Sequence, residues 1–211
     1  GCDRQTPPVQ LGGDIMGTTW GVSYIEGPPE LTPGQAQQGV EALLAQVNLS
    51  MSTYRTDSEI SAFNAIDTQT WFSSSAEFFA VLSAALDVGQ KSKGAYDVTV
   101  GALVDLWGFG PGGIIEVPPA QDEIADLMSR VGQTNLRLDP QNRSILKQSN
   151  LSVDVSSLAK GYAVDRVAEW LSAQGVRRYM VEVGGEMRLS GLSGRGDPWR
   201  IAIEEPKISE R

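Results

Sequence analysis

The stretch that decides the reading is Asp154-Val155-Ser156-Ser157-Leu158-Ala159-Lys160-Gly161. Val153 to Val155 is a short extended run. From the two serines onward a helical period takes over, with Ala159, Ala163, Val167, Trp170 and Leu171 on one face and Gly175 as its stop. A strand that delivers an acid, a two-serine turn and a helix start form a unit with a chemical consequence. Unpaired N–H groups in a first helical turn attract anions, and Lys160 falls within that turn. Gly161 lets a ligand or a second backbone come close. Two readings are open: an anion site suited to a pyrophosphate, and an N-capped helix whose lysine is solvated.

Outward from this point the chain alternates between the two periods. Thr18, Trp20, Val22 and Tyr24 mark a strand that ends at Gly27-Pro28-Pro29. Thr32-Pro33 is an N-cap and N1 pair for a helix carrying Val40, Leu43, Leu44, Val47 and Met51. Ser75 opens a second helix, with Phe78, Leu82 and Leu86 on one face. Ile124, Leu127, Met128 and Val131 mark a third, stopped by Gly132. Leu136–Leu138 and Ser144–Leu146 flank Asp139-Pro140-Gln141-Asn142, a hairpin signature. Tyr179, Val181 and Val183 alternate, as do Trp199, Ile201 and Ile203. Hairpins mixed with helices predict an α+β fold with mixed, largely antiparallel sheets. Residues 1–13 read as a flexible tether, and 14–211 as one domain.

Composition removes whole classes of chemistry. The 211 residues contain no histidine, which excludes Ser-His-Asp and Cys-His catalysis and imidazole zinc sites within the chain. A metal here would be held by oxygen, which points to magnesium or calcium. Cys2 is the only cysteine, so no internal disulfide forms. The net charge of −9 argues against a nucleic-acid partner. With 41% hydrophobic residues the chain is not of the disordered class. No apolar run of about 18 residues would span a membrane. The start, Gly1-Cys2-Asp3, resembles a bacterial lipoprotein after its leader is removed. A lipid on Cys2 would anchor a soluble body, and Asp3 would by that resemblance favour the inner membrane on its periplasmic side.

Other motifs carry less. Gly108-Phe109-Gly110-Pro111-Gly112-Gly113 fits G-x-G-x-x-G but does not lead from a strand into a helix, so it is no dinucleotide fingerprint. Ser157-x-x-Lys160 fits the S-x-x-K of Ser-Lys acyl-transfer enzymes, yet S-D-N and K-T-G are missing. Tyr54 could stack on an aromatic ligand or pack a loop, and Arg55 could pair with a carboxylate. Tyr96-Asp97-Val98 places Asp97 in a strand, where an inward carboxylate needs a partner. Gly184-Gly185-Glu186 is either a bulge with a surface Glu or the wall of a ligand slot.

Taken in order, Met16 to Trp20, Met51 to Asn64, Gly94 to Gly101, Leu106 to Gly110, Asp154 to Gly161 and Gly184 to Glu186 resemble the ApbE-type FAD:protein FMN transferases over roughly residues 14 to 205. The resemblance implies an ApbE-like, T-fold-related domain. Its substrate would be FAD, whose FMN half moves to a Thr or Ser hydroxyl of a flavoprotein subunit of a membrane redox complex, with AMP released. Met16, Tyr54, Ala95, Tyr96, Asp97, Asp154 and Lys160 fall on FAD-contacting positions, and Glu186 stands beside them as a slot wall. Lys160 and Asp154 would be the catalytic pair, and Ser157 would give Mg2+ an oxygen. Family members run on past this length, into a His-x-Ile-Asp-Pro-like element and an Asp-rich segment that supply further metal ligands. The expectation is therefore a C-terminally incomplete domain with half the active site and weak turnover alone. The alternatives are a periplasmic FAD binder or an FAD pyrophosphatase without protein flavinylation.

Overall fold

The structure is a computed structural model and describes residues 6–202. It opens on a hairpin, β1 (Val9–Ile15) and β2 (Thr18–Ile25), joined at Met16-Gly17 with both residues at positive φ, 50° and 68°. That is the turn whose twist matches the strands. Residues 9–13 are thus paired with β2 rather than part of a tether, because every strand position from Val9 to Ile15 has a partner there. Cys2 lies outside the described residues.

β6 (Arg178–Val183) and β7 (Glu186–Ser190) complete a four-stranded antiparallel sheet in the order β1-β2-β6-β7. Trp20, Val22 and Tyr24 stand opposite Val183, Val181 and Tyr179, so one face of the central strand pair is apolar, while β7 sets Glu186, Arg188 and Ser190 along its edge. Two long helices cover it: α1 (Pro33–Met51) and α6 (Ser156–Ala173). The buried Val40, Leu44 and Val47 of α1 meet Ala163, Val167 and Leu171 of α6 in the same core. α1 starts as its sequence predicts: Thr32 and Gln35 form a reciprocal capping box, with Pro33 at the first helical position. The helices cross closely at Gly39, where a Cβ would stand 2.3 Å from the Trp170 ring.

A second, three-stranded sheet runs β3-β5-β4, from β3 (Trp71–Ser73), β4 (Leu136–Asp139) and β5 (Ser144–Lys147). Beside it lie α2 (Glu59–Ala65), α3 (Ala76–Lys91), α4 (Gly101–Leu106) and α5 (Gln121–Met128). Ser75 caps α3 as expected, its hydroxyl accepting from the Phe78 N–H. The α+β class holds, with both sheets antiparallel.

Several local expectations change. Val153–Val155 forms no strand; only Ser152 makes a parallel bridge, to Val100. Asp97 sits in a turn, because its Oδ1 captures both the N–H and the hydroxyl of Thr99, at 2.8 and 2.6 Å. Gly184-Gly185 is a two-residue hairpin turn at φ 56° and 94°, not a bulge. α5 ends at Met128, with Ser129 as its C-cap, before Gly132. Trp199 to Ala202 are irregular, and Ile203 lies outside the described residues. No helix among the described residues is long and apolar enough to cross a membrane.

Candidate nucleotide site

The N-terminus of α6 is where five segments meet: the Met16-Gly17 turn, the Gly184-Gly185 turn, the loop after α1, residues 95–101, and α6 itself. A cavity of about 570 Å³ is lined there by Met16, Met51, Tyr54, Ser156, Ala159 and Lys160. Thr53 also borders a neighbouring cavity of about 560 Å³, whose walls include Asn64, Gly101, Asp105 and Asp154.

Lys160 is half-buried and forms no ion pair among the described residues. Its stem is pressed against Gly184, where a Cβ would lie 2.9 Å from the Lys160 Cδ and from Thr18 Cγ2. Gly184 is therefore needed twice, for its φ and for the lysine that passes over it. The first turn of α6 is partly spoken for. Val155 offers no side-chain cap, and Asp154 Oδ1 instead accepts from the Ser156 N–H at 2.7 Å. The Leu158 and Ala159 N–H groups both donate to the Val155 carbonyl. The Ser157 N–H is left as the open amide of the turn. The sequence pointed to a row of free donors; among the described residues the first turn keeps one, the Ser157 N–H, in a turn that also carries the Asp154 carboxylate.

Tyr96 and Ser157 share a hydrogen bond of 3.0 Å between their hydroxyls. Burial pushes the Tyr96 phenol above the usual tyrosine range; the Ser157 contact opposes this, and the Asp154 and Asp97 carboxylates add to it. Tyr96 is thus a neutral O–H group at physiological pH. Ser157 faces Tyr96 and has no hydrogen bond to Lys160, which leaves the Ser-Lys acyl-transfer reading without its nucleophile–base contact.

Tyr54 is 68% exposed and donates its O–H to the Phe109 carbonyl at 2.9 Å, so its ring is held out at the cavity rim. Arg55 is engaged by Asp57 through two bonds of 2.9 and 2.7 Å and is not free for a ligand carboxylate. Ala95 is exposed next to Tyr96. Glu186 is not brought to the site: it is exposed at the start of β7, pairs with Val183, and lines neither cavity. The glycines after Trp107 have a packing reason. A Cβ at Gly110 would stand 2.7 Å from Asp105 Oδ1, which also accepts from the Gly112 N–H.

Sequence reasoning missed Asn64 as a tie to Val153. Its side chain donates to the Val153 carbonyl at 3.0 Å and accepts from the Val153 N–H at 2.8 Å. It also missed Lys147, fully buried in β5. No sequence signal links either to the turn.

The fold is α+β, with Lys160 and a cavity at the start of α6, and comparison with known proteins gives the chain a family. The ApbE family pattern matches residues 16–211, and the chain belongs to the ApbE family. It is 42% identical over its full length to a Vibrio cholerae protein named FAD:protein FMN transferase, and 41% identical over 97% of its length to a Haemophilus influenzae protein of the same name. It spans 63% and 61% of those relatives' own lengths. Among solved structures, the flavin transferase ApbE of Vibrio cholerae superposes with a TM-score of 0.89 at 42% identity, covering 95% of this chain and 65% of that one. The apo flavinyl transferase ApbE of Pseudomonas stutzeri gives 0.87 at 36% identity, covering 94% and 66%.

Proposed function

We propose that this chain supplies the nucleotide-gripping part of an enzyme that moves FMN from FAD to a Thr or Ser hydroxyl of a flavoprotein subunit of a membrane redox complex, releasing AMP. The observation that carries it is Lys160, half-buried and without an ion pair among the described residues, lining a 570 Å³ cavity at the start of α6 together with Ser156, Met16 and Tyr54. Family membership and the names of the relatives support the same reading.

A chain of net charge −9 repels a pyrophosphate, so binding needs a local cation. Lys160 and the positive end of α6 are that local field. In the reaction the acceptor oxygen forms a bond to the FMN phosphorus, the P–O bond to the AMP phosphate breaks, and the hydroxyl proton leaves to a base. Lys160 would steady the charge on the phosphoryl oxygens. Asp154 Oδ2, which makes no hydrogen bond among the described residues, is the carboxylate oxygen at the turn open to a hydroxyl. Tyr54 offers an exposed face to one aromatic ring.

Magnesium is the cation the resemblance implies, with Ser157 as a ligand. The described residues do not form its site: no group of three or more His, Cys, Asp or Glu side chains is placed to hold a metal, and the Ser157 hydroxyl is engaged by Tyr96. Turnover by this chain alone is therefore expected to be weak. The sequence Gly1-Cys2-Asp3 supports placing the protein as a lipid-anchored periplasmic one on the inner membrane.

The test is incubation with FAD and a Thr-bearing acceptor peptide, in the presence of magnesium and of the whole gene product. Covalent flavin fluorescence on the peptide with AMP release is the expected result. AMP without labelled peptide would make it an FAD pyrophosphatase, and FAD quenching with neither product an FAD binder.

A further inference from the structure

The turn before α6 is held by a buried lysine that the proposed chemistry does not use. Lys147 Nζ donates to the Asn64 carbonyl at 2.8 Å and to the Leu151 carbonyl at 3.4 Å, and lies 5.7 Å from the Phe63 ring centroid. It has no ion pair among the described residues. A buried ammonium carries a desolvation cost that an apolar side chain of equal length would avoid. What only the ammonium does is join two carbonyls from separate segments, the last turn of α2 and the run into the site.

Asn64 carries the tie onward. Its side-chain amide makes both bonds to Val153 that a neighbouring strand would make. From the opposite side the Gly101 N–H donates to the Ser152 carbonyl at 3.0 Å, and the Asp154 N–H to the Val98 carbonyl at 2.9 Å. Residues 151–154 are thus gripped on both flanks, one residue short of the α6 N-cap. We propose that Lys147 and Asn64 are positioning residues for the nucleotide site. They fix where Asp154 and the first turn of α6, and with it Lys160, meet the ligand. This rests on the FAD reading above.

The test uses Asn64→Asp, which keeps the acceptor for the Val153 N–H and loses the donor, and Lys147→Met, which keeps length and loses the charge. Phe63→Leu serves as a packing control. Amide hydrogen exchange over 151–157 is measured without ligand, and FAD fluorescence quenching gives both Kd and the number of sites. Both tie variants should exchange roughly tenfold faster over 151–157 with β2 and β6 unchanged, and should bind FAD at full stoichiometry with a Kd about tenfold weaker. The control should lose thermal stability and change neither. Unchanged exchange, a Kd that stays put, or fewer FAD sites at the same Kd would overturn the proposal, the last because it marks a purely structural role. If Lys147→Met does not fold, Asn64→Asp decides alone. If the unmodified protein binds no FAD, the functional reading falls, and the exchange comparison still decides whether the tie sets the turn.

Discussion

The proposed function makes its heaviest single-residue demand on Lys160. Replacing it with Met keeps the stem over Gly184 and removes the charge, so FAD should bind roughly ten- to a hundredfold more weakly by fluorescence quenching, at unchanged thermal midpoint. Tyr96→Phe removes the hydroxyl that meets Ser157 and should weaken FAD by about two- to tenfold, a loss measured in the same titration. The placing of Lys160 and Asp154 at the start of α6 was legible in sequence because the cues are local: the helical period begins there, and Asp154 bonds the Ser156 N–H two residues on. Asn64 and Lys147 were not, because the bonds that tie them to distant segments, Asn64 to Val153 and Lys147 to Asn64, span 89 and 83 residues, and no period or spacing encodes such a contact. Arg55 illustrates the reverse: a basic residue that looked available is held by Asp57, two positions on.

Among the elements, those with their own punctuation were read correctly. Thr32-Pro33 set the start of α1, Ser75 that of α3, and alternation found β2 and β6. Tyr96 to Val100 alternates just as a strand does, but Asp97 folds back on Thr99, and the short-range bonds of an Asx turn win over the extended form. α4 has no side-chain cap and only six residues, so nothing in its sequence marked it. Two glycines test how elements meet. Gly39→Ala drives a methyl into Trp170 at the α1–α6 crossing and should lower stability by about 1–3 kcal/mol in denaturant unfolding, leaving FAD affinity of the folded protein near its original value. Gly184→Ala meets both a left-handed φ and the Lys160 stem; it should lower stability by roughly 1–2 kcal/mol and, unlike the first, also weaken FAD binding.

The whole molecule answers to pH and salt. Burial raises the phenol pKa of Tyr24, Tyr96 and Tyr162. Each therefore contributes stability that is complete below the unfolded tyrosine value of about 10 and is lost as pH rises through the folded value. Burial lowers Lys147, with Asp67 opposing, so its contribution has the opposite sign and rises with pH up to the unfolded lysine value of about 10.4. Three against one, thermal melts should show stability falling above about pH 10. On the proposed reading, in which a single lysine on an acidic body meets the nucleotide, FAD affinity should drop as salt is raised from about 0.01 to 0.15 M. The first hairpin carries one more consequence. The Thr6 N–H already donates to the Gly194 carbonyl, and β1 follows three residues later. A lipid on Cys2 would therefore work through a leash of four residues, about 14 Å at full stretch. On the anchoring proposed above, the body would stay within that reach of the bilayer, and an acceptor hydroxyl would come to it along the membrane surface.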